Sequence, residues 1–297
     1  MADHPEAAQS KAAVFLRRLG SASLLYGVLL VGLFVQDANI SRTAFGGVIT
    51  LLGVLGLIEY FDMAIKTGLS TRPQKFNGVL LGAIFIMAVF WALAIRESVE
   101  VAQHIQMLGV LVIVPLIGFR QVFAPDGASK ITGMAVATFG VVYVALLLNL
   151  LQFIRYHGDT GHWWLLYFIV VTKMSDTGAY CVGSLIGKTK MIPKVSPGKT
   201  WEGFAGGVVF SVLASWGFLH FAGKHFDGLQ LSHAILLAVI LGVGSVVGDL
   251  VESLMKREAD VKDSGKFLPG VGGALDLLDS LLFNAPIMYL YLRFVLQ

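Results

Sequence analysis

The sequence predicts an all-α protein that crosses a membrane about nine times. Three observations carry that expectation. Hydrophobic residues make up 56% of the 297 positions. Charged residues make up 14%, where a soluble domain carries about 25%. The apolar residues are gathered into separate runs, most of them close to the roughly 20 residues a helix needs to cross a bilayer. The mean hydropathy of +0.76 agrees.

Residues 1–18 are polar and end in Arg17-Arg18, which suits a cytoplasmic N-terminal segment. The run at 19–35 is long for a signal-peptide core and no small-x-small site follows it, so it reads as a retained first helix. Further runs lie near 46–65, 78–95, 105–119, 132–154, 163–182, 201–221, 231–250 and 277–295. The second contains Glu59 and Asp62 and the sixth contains Lys173 and Asp176, so these two are the least apolar. Residues 19–297 are expected to form a single membrane domain. With the N-terminus inside, the inner segments carry 16 of the 22 lysines and arginines, the outer segments carry 5, and Lys173 falls within a span. The positive-inside bias then places the segments 183–200 and 251–276 on the cytoplasmic face of a bacterial-type cell membrane.

The remaining composition excludes more than it suggests. A single cysteine, Cys181, cannot form an intrachain disulfide. The net charge is only +3, and no nucleic-acid partner is expected. The pairs His157/His162 and His220/His225 are spaced five apart, fall in expected outer loops, and read as solvated side chains rather than zinc ligands. Asp126, Asp159 and Asp227 read as solvated loop charges. There is no internal repeat, which argues against a transporter built on inverted repeats.

Chemistry concentrates late in the chain. Residues 248–284 hold five aspartates, two glutamates and four cationic residues inside an otherwise apolar half. Asp249, Ser253 and Lys256 stand at i, i+4 and i+7 and share one face of a helix. The segment 265–273, rich in glycine, follows, and then Asp276 and Asp279 stand at i, i+3. Folding this turn back brings two acidic helix ends together. Paired carboxylates of that kind hold a hard cation such as Mg2+, which needs only one or two of them when phosphates supply the other oxygens.

A second region, 173–203, places Asp176 inside an apolar helix with Lys173 one turn earlier. An ionisable group at that depth marks a functional site unless the two merely neutralise each other. In Ser196-Pro-Gly-Lys-Thr200-Trp-Glu-Gly203, Thr200 suits the N-cap of a helix starting at Trp201, and that N-terminus beside Lys199 is an anion site. A phosphate-binding P-loop is excluded. The glycine it needs five residues before Gly198 is Pro193, the equivalent before Gly187 is Val182, and no strand is expected before either.

Three blocks together resemble the phosphatidate cytidylyltransferases. They are Ser175-Asp176-Thr177-Gly178-Ala179-Tyr180, Ser196 through Gly203, and the run Ser253-Leu-Met-Lys256-Arg257, Lys262-Asp263-Ser-Gly265, Leu268-Pro269-Gly270-Val-Gly272-Gly273, Asp276, Asp279-Ser280. The resemblance covers about residues 170–285, with the blocks inside 173–284. Two positions depart from the family pattern: Val271 replaces a histidine and Leu277 replaces an arginine. The resemblance implies synthesis of CDP-diacylglycerol from CTP and phosphatidic acid, a centre holding Mg2+ and a second, monovalent cation, and a homodimer in the lipid bilayer.

A phosphate monoester has a second pKa of about 6, so the lipid nucleophile is already ionised at neutral pH. The protein must supply alignment and charge neutralisation. Asp249 and Asp276 are the first candidates for metal ligands. Asp279 and Asp263 come next, as ligands or as carboxylates behind them. Lys256, Lys199, Ser253 and Asp176 are assigned to the reacting phosphates and their field. Ser196, Gly198, Thr200, Arg257, Lys262, Gly270, Gly272 and Gly273 are assigned to substrate binding. The competing readings are a CTP-dependent enzyme acting on another lipid, such as a polyprenol kinase, a transporter using Asp176, Lys173, Asp249 and Glu252 as an ion path, and a non-catalytic family member.

Overall fold

A computed structural model describes residues 27–124, 131–226, 228–265 and 272–296. The segment 1–18, the start of the first apolar run, Asp126, Asp227, Gly270 and Val271 lie outside the described residues.

The described chain forms nine helices, matching the nine apolar runs. They are α1 (27–34), α2 (Ala38–Lys66), α3 (Arg72–Ile95), α4 (Val99–Val122), α5 (Ile131–Arg155), α6 (Gly161–Ile186), α7 (Trp201–Ala222), α8 (Leu231–Glu258) and α9 (Ala274–Phe294). Seven of them, all but α1 and α6, are long and apolar enough to cross a membrane. The protein is an all-α integral membrane protein. Its helices start where the sequence supplies caps. Asp37 accepts from the N–H groups of Asn39 and Ile40 ahead of α2, and Thr71 with Gln74 forms a capping box at α3. The cap at Asp37 explains why α2 starts eight residues before its apolar run. Helices also outrun their apolar runs elsewhere, which corrects the placement of two histidines in loops. His162 lies in α6 and His220 in α7. His225 closes the short turn after α7, where its ring stacks on Trp163 at 4.2 Å between centroids.

The segment 183–200 departs further from expectation. Strand β1 (Lys190–Ile192) pairs antiparallel with β2 (Ser196–Thr200), Lys190 opposite Thr200 and Ile192 opposite Ser196. The triplet Gly198-Lys199-Thr200 is therefore itself strand. The P-loop stays excluded by its missing glycine.

Small residues set how closely α6 and α7 approach. A Cβ at Gly207 would lie 2.8 Å from the carbonyl oxygen of Ser175, and one at Gly178 would lie 2.6 Å from the Cβ of Phe210. Such small-residue faces let helix backbones touch where water offers no hydrophobic drive. Here they bring Asp176 of α6 beside the start of α7. The core, with Phe61, Ile86, Leu148, Phe168, Leu241 and Leu275 buried, ties α2, α3 and α5 to α6, α8 and α9. α4 keeps Met107, Leu111, Leu116 and Phe119 exposed, an apolar outer surface that suits lipid.

Candidate active site

α8 and α9 cross at a glycine. A Cβ at Gly248 would lie 2.6 Å from the carbonyl oxygen of Asp279, so the two backbones meet there. The crossing sets Asp249 and Glu252 of α8 against Asp279 of α9, with one carboxylate oxygen from each within 4.8 Å of the others. Glu252 is 0% exposed and Asp279 5%. Three hard oxygen donors at this spacing fit a divalent cation.

Three lysines face these carboxylates. Lys199 Nζ lies 2.6 Å from Asp249 and donates to the Val246 carbonyl at 3.1 Å. Lys256 contacts Glu252 and reaches Asp276 Oδ1 at 2.8 Å. Lys173 Nζ lies 3.4 Å from Asp176 and 3.6 Å from Asp279, and donates to Ser280 Oγ at 2.7 Å. Asp176 also accepts from Ser245 Oγ at 2.6 Å. With all groups ionised, five carboxylates confront three ammonium groups. The excess negative charge, partly buried, is costly unless a cation offsets it. The Lys173–Asp176 contact is thus not an isolated pair; it joins α6 to the acidic cluster.

The hairpin and the start of α7 stand opposite. Thr200 Oγ1 accepts from the Gly203 N–H at 3.1 Å and caps α7. Glu202 accepts from the backbone N–H groups of Lys188 and Thr189, and Arg257 Nε donates to the Val195 carbonyl at 3.2 Å. The hairpin is thereby fixed to both α7 and α8, and Arg257 serves here as a clamp. Between hairpin and acidic cluster lies a cavity of about 570 Å³ lined by Asp176, Tyr180, Ser196, Gly198, Lys199, Thr200, Asp249, Asp276 and Asp279.

The structure distributes the other candidates around this cavity. Asp276 lines it while accepting from the Gly273 N–H at 2.7 Å and the Ser264 N–H at 3.1 Å, so it also caps α9. Gly272 adopts a φ of 115°, a conformation that favours glycine, and is packed against the Asp276 carboxylate. Gly273 is buried beside Glu59 and Ser264. Ser253 lies on α8 and is buried. Lys262 and Asp263 line a different groove, against α2 and α3. Leu277 lines an apolar pocket that it shares with Lys173.

Two acidic residues escaped the sequence reading of this site. Glu252 stands at i+3 from Asp249, the same spacing that singled out Asp276 and Asp279. Glu59 of α2 is buried and accepts from the N–H groups of Ala274 and Leu275 at 3.0 and 2.8 Å and from Ser264 Oγ at 3.0 Å. Its carboxylate thus holds the N-terminus of α9.

A helical membrane domain that gathers carboxylates and lysines around a cavity at its helix ends has the charges that suit a membrane-embedded transferase acting on phosphates. The profile of the cytidylyltransferase family matches residues 17–295, and the chain belongs to that family. A phosphatidate cytidylyltransferase of Bacillus subtilis is 32% identical over 269 residues, covering 91% of this chain and 96% of its own. The uncharacterized Escherichia coli protein YnbB is 34% identical over 262 residues, 85% of this chain and 86% of its own. A phosphatidate cytidylyltransferase of Haemophilus influenzae is 42% identical over 137 residues, 46% of this chain and 48% of its own.

Proposed function

We propose that this enzyme transfers the cytidylyl group of CTP to phosphatidate, releasing pyrophosphate and leaving CDP-diacylglycerol in the membrane. One observation carries the reading: a single cavity joins the acidic cluster of α8 and α9 to the Lys199 hairpin and the start of α7. The names of the relatives support the same substrates.

In this reading a phosphate oxygen of the lipid attacks the α-phosphorus in line. The new P–O bond forms as the bond to the bridging oxygen of the β-phosphate breaks. The lipid phosphate is already ionised at neutral pH, its second pKa being about 6, so no side chain must remove a proton. This makes the valine at 271 tolerable. Lys199 and the N–H groups at the start of α7 orient the triphosphate. Lys256, steered by Asp276, and Lys173, steered by Asp176, keep positive charge beside the developing negative charge. Mg2+ held by Asp249, Glu252 and Asp279 would neutralise the phosphate oxygens and the leaving pyrophosphate. A second, monovalent cation, a cytoplasm-facing site and a homodimer belong to the same reading.

Leu277 favours a second reading. The arginine common in the family is absent there, and the side chain lies among apolar residues. An enzyme of this chemistry with a different lipid acceptor would fit that change. The test is pyrophosphate release by purified protein in detergent with CTP, phosphatidate and Mg2+. Asp249→Asn serves as control, since Asp249 is the least buried of the three carboxylates. Release requiring all three components and lost in the variant is the expected outcome. CTP binding without release points to another acceptor. Absence of both CTP binding and pyrophosphate release rejects the reading.

A further inference from the structure

A second, larger cavity of about 1140 Å³ opens between α2, α3 and the segment 261–265. Its polarity runs in one direction. On α2 the lining residues Val54, Ile58, Asp62 and Lys66 follow at steps of four, so they share a face that passes from apolar to charged. On α3, antiparallel to it, Ala83, Leu80, Phe76 and Arg72 make the same passage toward the same end. Phe76 is 68% exposed and Leu80 47%, large apolar side chains left uncovered by the described residues. From Val54 to Lys66 the helix rises about 18 Å, close to the ~15 Å of one leaflet's hydrocarbon. The shape is that of an amphiphile standing in one leaflet.

The charged end selects the amphiphile. Lys66, Arg72, Lys75 and Lys262 line it against Asp62 and Asp263. Asp62 is already paired with Lys75 at 2.6 Å. Among the described residues Lys66, Arg72 and Lys262 have no ion-pair partner. The excess positive charge complements a phosphate monoester better than a zwitterionic headgroup. The groove is also separated from the acidic cavity by one thickness of chain. Ser264 and Gly265 line the groove, while the Ser264 N–H donates to Asp276, which lines the cavity.

We propose that this groove is the seat of the lipid acceptor: its acyl chains lie along Ile58, Phe76, Leu80 and Ala83, and its phosphate rests against Lys66, Arg72 and Lys262. The proposal rests on the reading of the protein as a transferase that uses a lipid phosphate. The lipid docks beside α2 and α3, and transfer takes place where its phosphate meets the nucleotide, in the cavity beside α7.

The test uses the full-length protein in phosphatidylcholine nanodiscs and a phosphatidate carrying a diazirine on one acyl chain. After photolysis, adducts are mapped by mass spectrometry. The expected adducts concentrate on the groove faces of α2 and α3. Unlabelled phosphatidate suppresses them and added phosphatidylcholine does not. Ala83→Trp, which fills the apolar end, should also suppress them and raise the KM for phosphatidate about tenfold while that for CTP stays in place. The double variant Lys66→Ala, Arg72→Ala should erase the preference for phosphatidate. Adducts spread equally over α4, or equal suppression by phosphatidylcholine, would overturn the proposal. Because labelling needs no turnover, a protein that labels in the groove but releases no pyrophosphate would fail the functional reading and keep the groove. A protein that turns over without groove labelling would do the reverse.

Discussion

Glu252 shows what a single residue gains from its surroundings. In the sequence it is an acidic residue four positions before a lysine on a helix, a spacing typical of a solvated surface pair. In the fold it is completely buried and shares a 4.8 Å neighbourhood with Asp249 and Asp279. Glu252→Gln keeps the shape and removes one charge from that crowd. If Glu252 holds the cation, activity should fall on the order of 100-fold and more Mg2+ should be needed for half-maximal rate. The Tm without Mg2+ should change little, since the lost contact to Lys256, which keeps Asp276, is offset by relief of repulsion among the crowded carboxylates. A variant with the Mg2+ dependence of the parent would remove Glu252 from the metal site. Leu277 carries the complementary lesson. In the sequence it stands where the family pattern has an arginine, directly after Asp276, yet the ammonium of Lys173 approaches Asp279 from α6 and supplies positive charge there.

At the level of elements, apolar run length is a local property, and the nine runs all correspond to helices. Even α6 was legible despite Lys173 and Asp176. The hairpin was not, because strands of three and five residues are too short to show a period. Nor was the partner of Glu59, which made the second run look like a weak span. That carboxylate holds N–H groups 215 and 216 residues away, a relation no local pattern contains. The acidic helix ends lie together as the sequence suggested, because α8 and α9 are consecutive helices packed against each other. Glu59 explains how α9 is held at the depth where Asp276 and Asp279 sit. Its pocket has no spare room, since a Cβ at Gly265 or Gly273 would collide with the carboxylate. Glu59→Gln keeps one acceptor oxygen and turns an amino group toward backbone donors. The expected loss is roughly 1–3 kcal/mol, read as a lower Tm in detergent together with reduced activity. An unchanged Tm would show that α9 is held by packing alone.

For the whole molecule the decisive property is which way it faces. Both cavities, the hairpin and the helix ends that carry the carboxylates lie toward one end of the bundle, the end that also gathers Lys66, Lys75, Lys188, Lys194 and Lys199. The positive-inside bias predicts that this end faces the cytoplasm, where a nucleoside triphosphate is available. Orientation is set by charge distribution over many loops, so it can be tested without catalysis. Cys181 is the single cysteine and is replaced first by alanine. In that background Lys194→Cys, on the exposed turn of the hairpin, and Lys224→Cys, on the exposed turn after α7, report opposite ends. A membrane-impermeant maleimide added to intact cells should label the cysteine at 224. It should label the one at 194 only after the membrane is permeabilised. The reverse pattern would place the acidic cavity outside, away from cytoplasmic CTP, and the cytidylyl-transfer reading would fall with the orientation.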